Sequence, residues 1–441
     1  MFQWPLLPKR DQYINKPNLL DSRKGRLIAF GTLYISEGIP FGFSSTAMVM
    51  FMRLQGLSIE QVGAFVAAVL LPWGFKWAWA PVVDIVKLRR FGGRKAWIVF
   101  CTSMMIVTLV SMALVDFEQK YDILIWMVLL NNLFCATQDV AIDSLAVSTL
   151  KEDERAAGNG MMFGGQFFGI GLGGGGAIYV SSLLGFNAAL VFVSLLMAVL
   201  LLFALLFIRD PEAVTREPAA PQAQRVLGAI TDFFRQLYIG FVRSGRGPLI
   251  GLAFAALPVG AQALAYALLG TLQVDIGLEQ ASIAQISVFN TVAGALGCLA
   301  GGFLGSRFGM KRMIALFYIL TAVPTLYLAL RIDAVGLAGV SIMAFYACVV
   351  AHGFLYGSGF ALRPAIIMGM TNPAVAATQF TAYMALGNIA ISFGNYWQGI
   401  IAERLGYSAA LYLDALLIIL ALLLIPFLRN REPGPGSEVR R

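Results

Sequence analysis

The chain has 441 residues, 59% hydrophobic and only 13% charged, with a mean hydropathy of +0.76. Soluble domains are about a quarter charged, so no division into globular units leaves enough polar surface to cover their cores. A polytopic helical membrane protein remains, about a dozen spans of ~20 residues each. The net charge of +8 raises nucleic acid as a partner, but the charges sort by membrane side, which makes them topological.

In chain order, 1–26 is a basic segment holding Pro5, Pro8 and Pro17, without the apolar core and small-residue cleavage site of a signal peptide. Apolar runs then predict helices over 27–52, 61–83, 96–115, 123–148, 156–183 and 188–208. A polar connector, 209–248, contains Pro211, Pro218 and Pro221. Its stretch 226–242 reads as a surface helix with Phe233, Phe234, Leu237 and Phe241 toward lipid. Six further helices are expected over 249–270, 282–304, 313–330, 335–362, 377–401 and 409–428, followed by a tail, 429–441. The domain plan is therefore an N-terminal segment 1–26, a six-helix half 27–208, the connector 209–248, a second half 249–428 and the tail. Cys101, Cys135, Cys298 and Cys348 lie in apolar segments with no CxxC pair, so they read as packing residues; no metal and no cofactor is expected.

When polar segments are assigned alternately to two sides, 27 of the 32 Lys and Arg fall on the side of the termini and four on the other. The remaining one, Lys76, lies inside a span. This asymmetry predicts both termini in the cytoplasm of a bacterial inner membrane. The loops after the second and eighth helices are alike: 84–95 reads DIVKLRRFGGRK and 302–311 reads GFLGSRFGMK. Short basic glycine-containing turns at equivalent places predict two halves related by an axis along the membrane normal.

These motifs carry a family resemblance. The second loop, with Gly302, Arg307, Gly309 and Lys311, resembles the loop signature of the major facilitator superfamily, with Ser306 where that family usually has Asp. The first resembles a lengthened form that keeps Asp84, Gly93, Arg94 and Lys95. Ser36–Gly42 (SEGIPFG), Phe75–Asp84 (FKWAWAPVVD) and Ala136–Asp143 (ATQDVAID) are similar to motifs of AmpG-type muropeptide permeases and acetyl-CoA transporters. The resemblance implies the all-α major facilitator fold of twelve spans and a bulky polar solute: an anhydro-muropeptide, an acyl-CoA-like compound or a siderophore.

Ionisable groups inside a span cost about 2.5–3.5 kcal/mol each on insertion scales, so each is a functional candidate. Glu37 sits mid-span beside Gly38 and Pro40; it is read either as a proton carrier or as a protonated side chain bonded to a neighbouring helix. Asp139 and Asp143 share a face at i, i+4, with Gln138 alongside and Lys76 at comparable depth on the second span. A structural Lys–Asp pair and direct solute contact are both open for these residues. His352, Tyr356 and Arg363 form one stripe on the tenth span. Gln262, Tyr266, Gln379, Asn388, Asn395 and Gln398 are candidate polar contacts or interhelical bonds, and Asp414 is placed near the outer end of a peripheral helix. Gly165, Gly169 and Gly173 on the fifth span, with Gly171 and Gly175 repeating the spacing, and Gly297, Gly301 and Gly305 on the eighth are read as a smooth contact sliding between the halves, with static tight packing as the alternative.

With no nucleotide-binding loop, the expected function is secondary active transport by rocking of the halves, driven by protons and carried out by a monomer in lipid. An intramembrane enzyme would need a nucleophile–base or metal constellation that one His and four unpaired Cys do not supply. A membrane sensor or scaffold would need a soluble domain, for which a 40-residue connector and a 13-residue tail are too small.

Overall fold

The computed structural model describes residues 18–80, 83, 93–115, 121–151, 154–210, 222–258, 261–372 and 375–428. Asp84, the segment 1–17 and the tail 429–441 lie outside the described residues. Every regular element described is helical.

The first span is α1 (Arg23–Gly42) joined to α2 (Met48–Leu54) through a π turn, Phe43–Ala47. Pro40 contributes no N–H, and the ladder re-registers just after it. Ser44 and Ser45 donate to the carbonyls of Pro40 (2.8 Å) and Phe41 (2.7 Å), satisfying groups near the irregularity. The second span, α3 (Ile59–Phe75), starts on a Ser58–Gln61 capping box and ends in a 3-10 turn, Lys76–Ala78. Then come α4 (Arg94–Ala113), α5 (Tyr121–Thr149), and the fifth span, built from α6 (Arg155–Gly171), a π turn Leu172–Gly176 and α7 (Ala177–Leu184). The sixth is α8 (Phe186–Phe207).

The connector helix is α9 (Gln222–Phe241). The second half continues with α10 (Arg246–Ala255), α11 (Ala267–Asp275), α12 (Gln280–Phe308), α13 (Met310–Val335), α14 (Ile342–Met368), α15 (Ala376–Leu405) and α16 (Tyr407–Leu424). Eight spans among the described residues are individually long and apolar enough to cross a bilayer. The other four are the first, second, seventh and eleventh, which carry interruptions or polar side chains.

The seventh span departs from expectation. In place of one helix over 249–270 it consists of α10 and α11, and the described residues between them are non-helical. Pro258, which has no N–H to donate, suits the break. Side chains from three other spans satisfy the freed backbone groups. Arg363 donates to the carbonyls of Phe254 (3.1 Å), Ala255 (2.6 Å) and Leu257 (2.8 Å). Asp414 accepts from the Ala263 amide (3.0 Å) and Asn395 from that of Ala267 (3.0 Å). Asp414 is thus no peripheral residue: it is 1% exposed and is held in turn by Gln398 Nε2 at 2.8 Å.

The glycine stripes also differ from expectation. A Cβ on Gly165, Gly169 or Gly173 would lie 2.0, 2.5 or 1.9 Å from the carbonyls of Gly31, Ile35 and Ile39. That face of α6 and its π turn therefore packs on α1, inside the first half. Gly297 and Gly301 pack likewise on α14, with Cβ positions 2.0 and 2.3 Å from the Phe354 and Ser358 carbonyls. Both are seams within a half, where glycines let two backbones approach closely. Contact between halves uses other residues: Gly175 against Ala284 and Val288 of α12, Gly63 of α3 against Asn395 and Gly399 of α15, and Ser392 donating to the Ala67 carbonyl at 2.6 Å. The pairs α4–α8 and α13–α16 pack together within their halves.

The connector helix likewise does not turn all four of its predicted residues to lipid. Phe233 stacks on Trp77 of the first half, ring centroids 5.6 Å apart, and Phe241 packs edge-on against Tyr383 of the second at 5.1 Å.

Candidate transport site

Three spans of the first half bring their ionisable groups together. The end of α3 places Lys76 Nζ on Asp139 of α5 in a short ion pair, and 3.7 Å from Asp143. A lysine just past a helix C-terminus also meets the negative end of the helix dipole, and its ammonium lies 5.9 Å from the Trp73 ring. The two carboxylates differ in exposure: the Asp139 side chain is 3% exposed and that of Asp143 42%. Tyr34 of α1 donates to Asp143 Oδ1 at 2.5 Å.

Glu37, one turn further along α1, is 2% exposed. Its Oε1 accepts from Gln166 of α6 at 2.6 Å, while Oε2 is buried with no hydrogen-bond partner among the described residues. It lies in the electrostatic neighbourhood of Asp139, Lys76 and Asp143. Three carboxylates and one ammonium therefore share this part of the first half. Gln138 points elsewhere: it donates to Thr102 of α4 at 2.5 Å and accepts from Ser36 at 3.3 Å, tying three spans behind the cluster.

In the second half, His352 and Tyr356 of α14 do stack, centroids 5.8 Å apart, and the Tyr356 hydroxyl meets that of Tyr266 at 3.2 Å. His352 Nε2 is 2.8 Å from the Ala261 carbonyl, which makes Nε2 the protonated nitrogen; Nδ1 is buried without a partner among the described residues. Gln262 Nε2 is in the same condition. Arg363 turns away from this group to cap α10. Asn388 reaches the Trp73 carbonyl at 3.3 Å, and Gln379 donates to the Gly240 carbonyl at 2.9 Å, so both serve packing between elements.

The loop-signature residues are anchors. Gly93 adopts φ +69° before α4, and the Arg94 amide donates to Asp210 at 2.7 Å while its guanidinium reaches Ser144 (2.7 Å) and Ser148 (3.2 Å). Lys95 donates to the Leu205 carbonyl at 2.7 Å. In the second loop Gly309 takes φ +96° between α12 and α13, Arg307 lies over the Phe308 ring at 5.8 Å, and Gly302 and Lys311 are at the surface and the start of α13. Sequence reasoning missed Tyr34 and Gln166. Tyr34 lies three residues before Glu37 on one helix face, and Gln166 adjoins the Gly165–Gly169 seam that faces α1, so both had a spacing signal.

A bundle of two six-helix halves with polar groups converging from each is the architecture of a membrane transporter. The family model of the Major Facilitator Superfamily matches residues 30–334 and 249–441, and the chain belongs to that superfamily. Within it, the chain is 25% identical over 386 residues to the anhydromuropeptide permease of Escherichia coli, covering 85% of this chain and 74% of that one. A Rickettsia felis protein named as transporter AmpG 4 is 21% identical over 417 residues, covering 92% of this chain and 97% of its own. Among solved structures, the inward-open xylose transporter XylE of E. coli superposes with a TM-score of 0.67 at 11% identity, over 94% of this chain and 98% of that one. The nucleoside transporter NupG superposes with a TM-score of 0.62 at 15% identity, over 91% and 98%.

Proposed function

We propose that this transporter imports a bulky polar solute of the anhydro-muropeptide class across the bacterial inner membrane, coupled to protons, with both termini cytoplasmic. The observation that carries the coupling is the Glu37–Lys76–Asp139–Asp143 cluster, in which one buried carboxylate oxygen has no partner among the described residues. Protonation there neutralises the surplus charge and lowers the cost of closing the bundle around the cluster; deprotonation favours reopening. The solute class rests on the similarity to an anhydromuropeptide permease, and the orientation on the 27-to-four distribution of Lys and Arg. In the second half, Tyr266, Tyr356, His352 and Gln262 are the candidate solute contacts, His352 Nδ1 and Gln262 Nε2 having no hydrogen-bond partner among the described residues.

The test is uptake of radiolabelled anhydro-muropeptide into proteoliposomes with and without an imposed pH gradient. The wild type accumulates solute only with the gradient. Glu37→Gln and Asp139→Asn mimic the protonated state permanently; the variant at the coupling carboxylate still exchanges solute at equal concentrations but no longer concentrates it. Normal accumulation by both variants sinks proton coupling through these residues. Saturable uptake of an acyl-CoA in place of the muropeptide sinks the solute class.

A further inference from the structure

The structure assigns a lipid-binding surface to α9: we infer that one edge of this helix seats in an anionic headgroup layer while another edge clamps the two halves of the transporter. The helix's rotation of ~100° per residue sorts its side chains into three sectors. The first is docked on protein. Phe233 stacks on Trp77, with ring planes 5° apart, Gln236 accepts from Thr378, and the Gly240 carbonyl accepts from Gln379 at 2.9 Å. Trp77 belongs to the first half, Thr378 and Gln379 to the second.

The next sector is an exposed apolar stripe. Leu227, Phe234, Tyr238 and Val242 are 67, 53, 51 and 62% exposed, with Thr231 completing the helical spacing. It runs on into Leu249 of α10, 51% exposed, on the surface of the seventh span. The third sector is charged: the Asp232 and Arg235 side chains are 65 and 73% exposed. Arg243 lies over the Tyr238 ring at 5.6 Å, which puts a guanidinium beside the apolar stripe, and Arg246 is exposed nearby.

Protein, apolar and charged sectors in rotational order describe a helix lying in the membrane plane at the bundle's edge, with acyl chains on one side and headgroups on the next. Water does not suit the stripe, since it would face four large apolar side chains in a row. The segment 222–246 holds Arg225, Arg235, Arg243 and Arg246 against Asp232 alone, so its complement is a negatively charged lipid surface. This surface is independent of which solute is carried.

The full-length protein, with its four cysteines replaced by serine, is reconstituted into vesicles of phosphatidylcholine alone or with one third phosphatidylglycerol. An environment-sensitive fluorophore is attached at Thr231→Cys on the stripe or at Asp232→Cys on the charged sector. The expected result is blue-shifted emission at position 231, quenched by brominated acyl chains, with quenching at least doubled by phosphatidylglycerol; position 232 reports water. Arg235→Glu combined with Arg243→Glu, in protein that remains monodisperse, abolishes the phosphatidylglycerol effect. A label at 231 as solvated as that at 232 in both vesicles overturns the inference, as does a lipid effect that survives the double charge reversal.

Discussion

Lys76 is the residue on which the first half's charges balance. Its side chain is 19% exposed and that of its nearer partner Asp139 3%, so removing the ammonium leaves a carboxylate buried and unpaired. Such breakage costs about 3–5 kcal/mol. Lys76→Ala is therefore expected to lower expression and thermal stability sharply, and Lys76→Ala with Asp139→Asn to recover both. Equal defects in single and double variants, read by size-exclusion yield and melting temperature, would show that Lys76 acts on the solute itself. A second ion pair joins the first turn of α1 to the residue just before α6. Arg26 donates to both carboxylate oxygens of Glu154 at 2.8 and 2.6 Å. The guanidinium holds the Glu154 carboxyl down from the ordinary 4.5 to about 2. A depressed carboxylate contributes its stability above the unfolded-state value and loses it as pH falls through the folded one. Melting temperature should therefore drop as pH falls from about 4.5 towards 2. Glu154→Gln should flatten that part of the profile, and an unchanged slope would remove the pair from the acid response.

At the scale of elements, the glycines decide which helices pack together. Gly169→Ala would put a Cβ 2.5 Å from the Ile35 carbonyl, and Gly301→Ala one 2.3 Å from that of Ser358, and backbone cannot yield as a side-chain tip can. Each is expected to destabilise by about 1–3 kcal/mol. Gly164 and Gly302 sit next to these seams with nothing within 4 Å of the added carbon. Alanine there should be neutral or stabilising by about 0.5–1 kcal/mol. Denaturant midpoints for the four variants check the contrast; four equal values would dissolve both seams as structural units. The assignment also sorts the contacts: α1 packs on α6 and α12 on α14 inside the halves, while α3 against α15 and the Gly171–Gly175 side of the fifth span against α12 join one half to the other.

Across the whole molecule, the halves are latched at the face opposite the connector. Arg53 at the end of α2 makes a bidentate pair with Asp275 at the end of α11, both contacts 2.6 Å, and Tyr407 of α16 donates to the same carboxylate at 2.8 Å. Glu403 of α15 accepts from the Ile59 amide of α3 at 2.7 Å. Charge-assisted bonds of this kind are worth about 1.5–3 kcal/mol, and 1.4 kcal/mol is roughly a ten-fold change in an equilibrium. Asp275→Asn is expected to shift the population about ten-fold toward the state open at this face. Electron-spin distance measurements between labels at Gln55 and Gln280 would register it as growth of a longer-distance population. An unchanged distribution would mean that the α3–α15 contact alone holds the face shut.

The twelve spans and the short roster of buried charges were legible in the linear order of residues. Each follows from a local quantity: the apolar length needed to cross a bilayer and the cost of an ionisable group in lipid. The proximity of Lys76 to Asp139 was legible too, because two antiparallel spans put the residues at equal depth. What needed tertiary structure was the rotation of each helix about its axis. A glycine stripe announces close approach without naming the partner: the fifth and eighth spans do meet, at Gly171 and Gly175, while the Gly165–Gly173 and Gly297–Gly301 stripes face α1 and α14. Hydropathy could not reveal the break in the seventh span, since 249–270 is apolar enough for one helix. The break persists because Arg363, Asp414, Asn395 and His352, remote in sequence, converge on its open backbone groups, and only packing brings remote side chains to the same few ångströms.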